Sequence, residues 1–97
     1  MLESITVAEL KKLNDVQIID LRNFEKYNDR HILNAHNINY DKLLLKPEKF
    51  LNKFTKYYMY CQKGVKSKYL CRMLNMKGFK TVHIIGGYEA WVMNENV

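Results

Sequence analysis

The feature that most constrains the fold is an alternation. Short apolar, β-branched runs recur along the 97 residues, and helical patterns lie between them. Val16–Leu21 (VQIIDL), Lys56–Tyr60 (KYYMY) and Thr81–Ile85 (TVHII) read as strands. Strands separated by helices imply βαβ units and a parallel sheet, so the expected class is α/β. Ser4-Ile5 adds a short first strand. Thr6 and Glu9 form a capping box that opens a helix over about Val7–Leu13. Asn14-Asp15 turns the chain. Asn23 caps a short helix over Phe24–Asp29, His36–Asn39 is briefly extended, and Pro47 opens a helix reaching about Lys53. Cys61–Lys66 reads as a loop and Ser67 as the start of a helix that Gly78 ends as the C′ residue. Gly86-Gly87 breaks the last strand. A closing helix follows over Tyr88–Asn94, with Trp91 on its buried face.

Composition bounds the rest. Hydrophobic residues make up 47% and charged residues 27%, ordinary values that argue against disorder and repeats. One domain spanning residues 1–97 is expected at this length. No apolar run approaches the roughly 20 residues of a membrane-spanning helix, so no membrane partner is expected. MLESITVAEL lacks the basic start and apolar stretch of a signal peptide. Two cysteines are too few for a disulfide scaffold, and a reducing cytoplasm is the expected compartment. The net charge is +6, with 16 Lys and Arg against 10 Asp and Glu. Thirteen of the 16 cations are Lys. That balance permits a nucleic acid, a membrane surface or a small anion and does not choose among them.

In an open parallel sheet, ligands bind outside the carboxyl ends of the strands. Cys61 ends one expected strand, Asp20 and Arg22 end another, and Gly86-Gly87 ends a third. The loop after Cys61 has the makings of an anion cradle. The N–H groups of Gln62, Lys63, Gly64, Val65, Lys66 and Ser67 can converge on one point, and Gly64 permits positive φ. The helix N-terminus adds about half a positive charge, and Lys63 and Lys66 add two full charges. Such surroundings favour a thiolate, since comparable cysteines ionise at roughly pH 3.5–7.5 instead of ~8.5. Cys61 is therefore the candidate nucleophile, set against the alternative that it merely ends a buried strand.

These segments, taken in order, resemble a known family. Ile18-Ile19-Asp20-Leu21-Arg22 is similar to the acidic–x–Arg strand end of the rhodaneses. His31-Ile32, Ala35 and Asn37-Ile38 resemble their G-H-I-P-G-A-x-N-I segment. Tyr60 to Ser67 (YCQKGVKS) resembles their loop, C-x-x-G-x-R-S. Gly78-Phe79, Val82, Gly86-Gly87 and Trp91 resemble their ending, G-F-x-x-V-x-x-L-x-G-G-x-x-x-W. The likeness is to a single-domain rhodanese, a sulfurtransferase. It implies a mostly parallel sheet of about five strands with helices on both faces. It also implies that Cys61 takes a sulfane sulfur from a donor such as thiosulfate, carries it as a persulfide held by the amides of residues 62–67, and yields it to cyanide or a thiol. Lys63 and Lys66 would receive the anionic donor, which, like the acceptor, is a small molecule or a protein. No metal or organic cofactor is implied. Lys66 stands where the family has Arg, a point charge in place of a planar fork. Leu33 and Asn34 replace the usual Pro and Gly, and Arg30 stands where Gly is common. These departures motivate an alternative, a non-catalytic module that carries persulfide or binds a partner. A related class of phosphatases needs Arg after Cys and five residues. Ser67 occupies that position here, which argues against that class.

The remaining candidates read as structure. Cys71 falls on a helical apolar face with Leu70 and Leu74. Asp20 and Arg22 form a pair that shapes loops. His31, His36 and His83 lack the close ligand pairs of zinc sites. Lys53–Tyr60 (KFTKYYMY) mixes cations with aromatics as single-strand nucleic-acid binders do, but a strand in a sheet explains them as well, and nucleic acid is disfavoured as a partner.

Overall fold

The computed structural model describes residues 2–95. Among them, five strands, β1 (Glu3–Ile5), β2 (Gln17–Asp20), β3 (His36–Asn37), β4 (Lys56–Tyr60) and β5 (Lys80–Ile84), form one sheet in the order β1-β5-β4-β2-β3. Every adjacent pair is parallel. The helices are α1 (Val7–Leu10), α2 (Phe24–Asp29), α3 (Tyr40–Leu45), α4 (Val65–Met76) and α5 (Gly87–Glu95), and a 3-10 turn covers Pro47–Lys49.

The sheet is covered on both faces, as a parallel sheet requires. Side chains of β4 alternate between two cores. Tyr57, Met59 and, just beyond the strand, Cys61 pack with Leu43 of α3 and with Leu70, Cys71 and Leu74 of α4. Tyr58 and Tyr60 face Val7 and Leu10 of α1, Tyr27 of α2 and Tyr88 of α5. The central strand therefore delivers Cys61 to the carboxyl edge with α4 directly ahead of it. None of the described helices is long and apolar enough to cross a membrane.

The local signals explain most element ends. Thr6 and Glu9 close the capping box, Asn23 accepts from Lys26 N–H, and α4 ends with Phe79 N–H donating to the Leu74 carbonyl across Gly78. Asn34, standing where the family pattern has Gly, takes φ 69°, a conformation that Asn tolerates better than most residues. Four differences from the expected boundaries have physical causes. Helix α1 stops at Leu10, and the chain turns through Asp15 at φ 57°. Residues 40–45 are helical although the sequence marks only an extended segment before them. Asn39 caps this helix through Asp41 N–H, and Leu43 is fully buried, a gain of about 1.5–3 kcal/mol. Pro47 starts only a single 3-10 turn, because the Asn52 side chain then accepts from Phe54 and Thr55 N–H and redirects the chain into β4. Helix α4 starts at Val65 instead of Ser67, with Gly64 as its N-cap at φ 95°.

Candidate active site

The sulfur of Cys61 lies where β4 hands over to α4. Its Sγ accepts from Gly64 N–H at 3.2 Å and from Ser67 N–H at 3.3 Å, and the Ser67 hydroxyl is 3.4 Å away. Of the six amides expected to converge, these two reach the sulfur. The earlier start of α4 explains this, since Val65 and Lys66 belong to its first turn, and the turn carries Ser67 back over Cys61. Cys61 is 6% exposed and opens onto a pocket of about 520 Å³. Arg22, Lys26, Lys63 and Lys66 bring positive charge to that pocket, which Tyr40 and Asp41 also line. Lys66 Nζ stands 5.5 Å from the centre of the Tyr40 ring, within cation–π range. A larger cleft, about 770 Å³, opens among Leu10, Val16, Leu33 and Trp91 beside the amino ends of β2 and β3, and neither cysteine lines it.

The loop is braced from behind by α5. Tyr88 N–H donates to the Cys61 carbonyl at 2.9 Å and Glu89 N–H to the Gln62 carbonyl at 3.1 Å. Both acceptors are thereby engaged by a helix N-terminus, whose first N–H groups need partners. The approach is possible only because Gly87 has no side chain. A Cβ there would lie 2.3 Å from the Cys61 carbonyl oxygen and 2.9 Å from Gly64 N.

Asp20 and Arg22 meet at the same edge as a buried ion pair, 2.8 Å apart. The guanidinium also donates to the Gln62 side chain at 3.2 Å and to the Arg30 carbonyl at 2.6 Å, so it ties β2 to the cysteine loop and to the segment after α2. Burial works against its charge, but the hydrogen bonds and charge of Asp20 prevail and hold Arg22 above its ordinary pKa. Sequence reasoning reached this pair but missed its surroundings. Tyr60 donates its hydroxyl proton to Asp20 and accepts from Ile32 N–H, and burial raises the pKa of that phenol. Tyr88 lies under the guanidinium, its ring centre 4.1 Å from Cζ. The aromatic alternation of KYYMY could have marked Tyr60; no local signal marks Tyr88. His83, read as a strand position only, bonds the Gly64 carbonyl through Nε2 at 2.8 Å.

Cys71 is buried in the core, and burial pushes its thiol up to about 11. His31 and His36 are exposed. Among the described residues no three of His, Cys, Asp and Glu are grouped to hold a metal ion. Tyr57 and Tyr60 of the cation–aromatic segment are buried within the sheet, while Phe54, ahead of it, is exposed.

A family model of the rhodanese-like domain matches residues 6–94. The chain belongs to the rhodanese-like family. This rhodanese-like chain is 37% identical over 84 residues to the thiosulfate sulfurtransferase GlpE of Coxiella burnetii, an alignment covering 86% of this chain and 78% of that protein. Among solved structures, a rhodanese-like domain protein from Staphylococcus aureus superposes with a TM-score of 0.83 at 34% identity, covering 93% and 91% of the two chains. A rhodanese-related protein from Thermoplasma volcanium gives 0.86 at 27% identity, covering 95% and 92%. The five-stranded α/β sheet is thus the rhodanese-like fold, and the chain is of the sulfurtransferase family.

Proposed function

We propose that Cys61 is the nucleophile of a thiosulfate-type sulfur transfer. Its thiolate attacks the outer sulfur of an anionic donor such as thiosulfate. The new S–S bond forms as the donor's own S–S bond breaks, and sulfite leaves with the bonding electron pair. The resulting persulfide holds its outer sulfur in the pocket until cyanide or a thiol attacks it and the Cys61 thiolate departs. Each half is a displacement at sulfur that needs a negative charge held in place and no net redox agent.

The observation that carries this reading is the pair of N–H donors, Gly64 and Ser67, aimed at Sγ in a pocket lined by cations. The exposed Lys63 and Lys66 supply attraction for an anion at the mouth, and Asp20 and Arg22 hold the loop in register. Both cysteines are free, which fits a reducing cytoplasm. The test is intact-protein mass spectrometry after exposure to thiosulfate. A gain of one sulfur atom on Cys61, reversed by cyanide or a thiol, is expected, and Cys61→Ser abolishes both the adduct and turnover. Full activity in Cys61→Ser refutes the mechanism. Uptake of sulfur without multiple turnover would favour a persulfide carrier.

A further inference from the structure

His83 sits in the middle of the machinery although nothing in its strand pattern marks it. It is 5% exposed on β5, between its register partners Ser4 of β1 and Met59 of β4. Its Nε2 is 2.8 Å from the carbonyl oxygen of Gly64, the residue whose N–H donates to Cys61 Sγ. A carbonyl only accepts, so the ring must donate from Nε2. Among the described residues Nδ1 is buried without a hydrogen-bond partner, so a proton placed there has no acceptor among them. This environment favours the neutral ring with its proton on Nε2. Burial disfavours its charged form and Lys68 of α4 adds to that, while the bond to Gly64 opposes both. Its strand neighbours Ser4 and Met59 carry no charge, and the thiols of Cys61 and Cys71 belong to the core on the Met59 face.

We propose that His83 is a positioning residue for sulfur transfer, fixing Gly64 from behind so that its N–H points at the sulfur of Cys61. This inference rests on the reading of Cys61 given above. Gly64 is the one residue of the loop in the left-handed region, and its peptide groups can swing unless both sides are held. The N–H side meets the sulfur, and the carbonyl side meets His83. The N-cap carbonyl of α4 therefore gains a side-chain donor from a neighbouring strand, which couples β5 to the cradle across 19 residues of sequence.

The test compares single-turnover loading of sulfur from thiosulfate in wild type, His83→Leu and His83→Gln. Leucine fills a similar space without a donor, and the Gln amide can donate from about where Nε2 stands. His83→Leu is expected to lower the loading rate at saturating donor by up to about tenfold, the upper worth of one neutral hydrogen bond, with half-saturation nearly unchanged. His83→Gln is expected to recover most of the loss. Wild-type loading in His83→Leu, a loss confined to half-saturation, or no recovery with Gln overturns the proposal. If His83→Leu does not fold, NMR of the wild type decides. The ring must show the Nε2–H tautomer, and the Gly64 amide resonance must move as the ring is protonated; an unmoved Gly64 amide overturns it. Should wild type itself take up no sulfur, the reading of Cys61 fails, whereas loading by wild type with unaltered His83 variants leaves that reading standing and removes only His83.

Discussion

Substituting Gly87 by Ala should separate the brace behind the cysteine loop from ordinary glycine strain. Gly87 has φ 61° and Gly78 has φ 96°, so alanine at either position pays for left-handed backbone, about 1–2 kcal/mol. The surroundings then differ. The nearest atoms to a Cβ on Gly78 belong to the flexible Lys53 side chain, at 3.5 Å and beyond. A Cβ on Gly87 falls 2.3 Å from the Cys61 carbonyl oxygen, so α5 and the loop must part by about 1 Å to restore ordinary contact. Forced overpacking of this kind costs a further 1–3 kcal/mol or so. Gly87→Ala is therefore expected to lose about 2–5 kcal/mol, against about 1–2 kcal/mol for Gly78→Ala. A displacement of that size at a reacting centre lowers rates by about 100-fold. Urea unfolding gives the first comparison, and mass-spectrometric sulfur loading from thiosulfate gives the second. If the two variants lose equal stability and load sulfur equally fast, the α5 brace does not position the loop.

Lys66→Ala should raise KM for thiosulfate more than it slows transfer to the acceptor. Because Lys66 is exposed, the rise should stay within about fivefold and shrink with added salt, and a salt-insensitive KM equal to wild type would show that Lys66 does not meet the donor. Asp20→Leu leaves the Arg22 charge buried and should cost about 3–5 kcal/mol in urea unfolding; the double variant Asp20→Leu/Arg22→Leu should recover part of that loss, and a single-variant cost below about 1 kcal/mol would contradict the buried pairing. Burial keeps His83 neutral in the folded chain below its ordinary value of 6.5, whereas the unfolded chain binds a proton there. The unfolded state thus holds more protons in acid. The His83 contribution to stability is level above that pH and declines as pH falls through it. Urea midpoints of wild type and His83→Gln measured down the pH scale should diverge only on the acid side.

The sequence made the sheet and the cysteine legible through different signals. Strands β2, β4 and β5 are apolar runs, and both ends of β4 are legible because its aromatic residues stop where Cys61 begins. Helix α3 is not legible because its cap, Asn39, ends a segment that reads as extended, and its main stabilisation is tertiary, through the buried Leu43. The start of α4 is hidden in the sequence because no side chain caps it; Gly64 does so by its backbone conformation. At the site, Asp20 and Arg22 were visible as a strand-end pair. Tyr88 and His83 were not, because the guanidinium and the Gly64 carbonyl reach them only after β5 and α5 have been laid beside β4. Contacts of that kind depend on topology, and a local pattern does not encode them.

The brace formed by α5 also fixes an order of assembly during synthesis. Translation proceeds from the amino end, so Cys61 leaves the ribosome well before Tyr88 and Glu89, whose amides secure the carbonyls behind it. A chain ending ahead of Gly86 would hold the thiol without the amides that secure the carbonyls behind it. The loop proposed to handle sulfur is therefore completed late, when the downstream helix docks behind it.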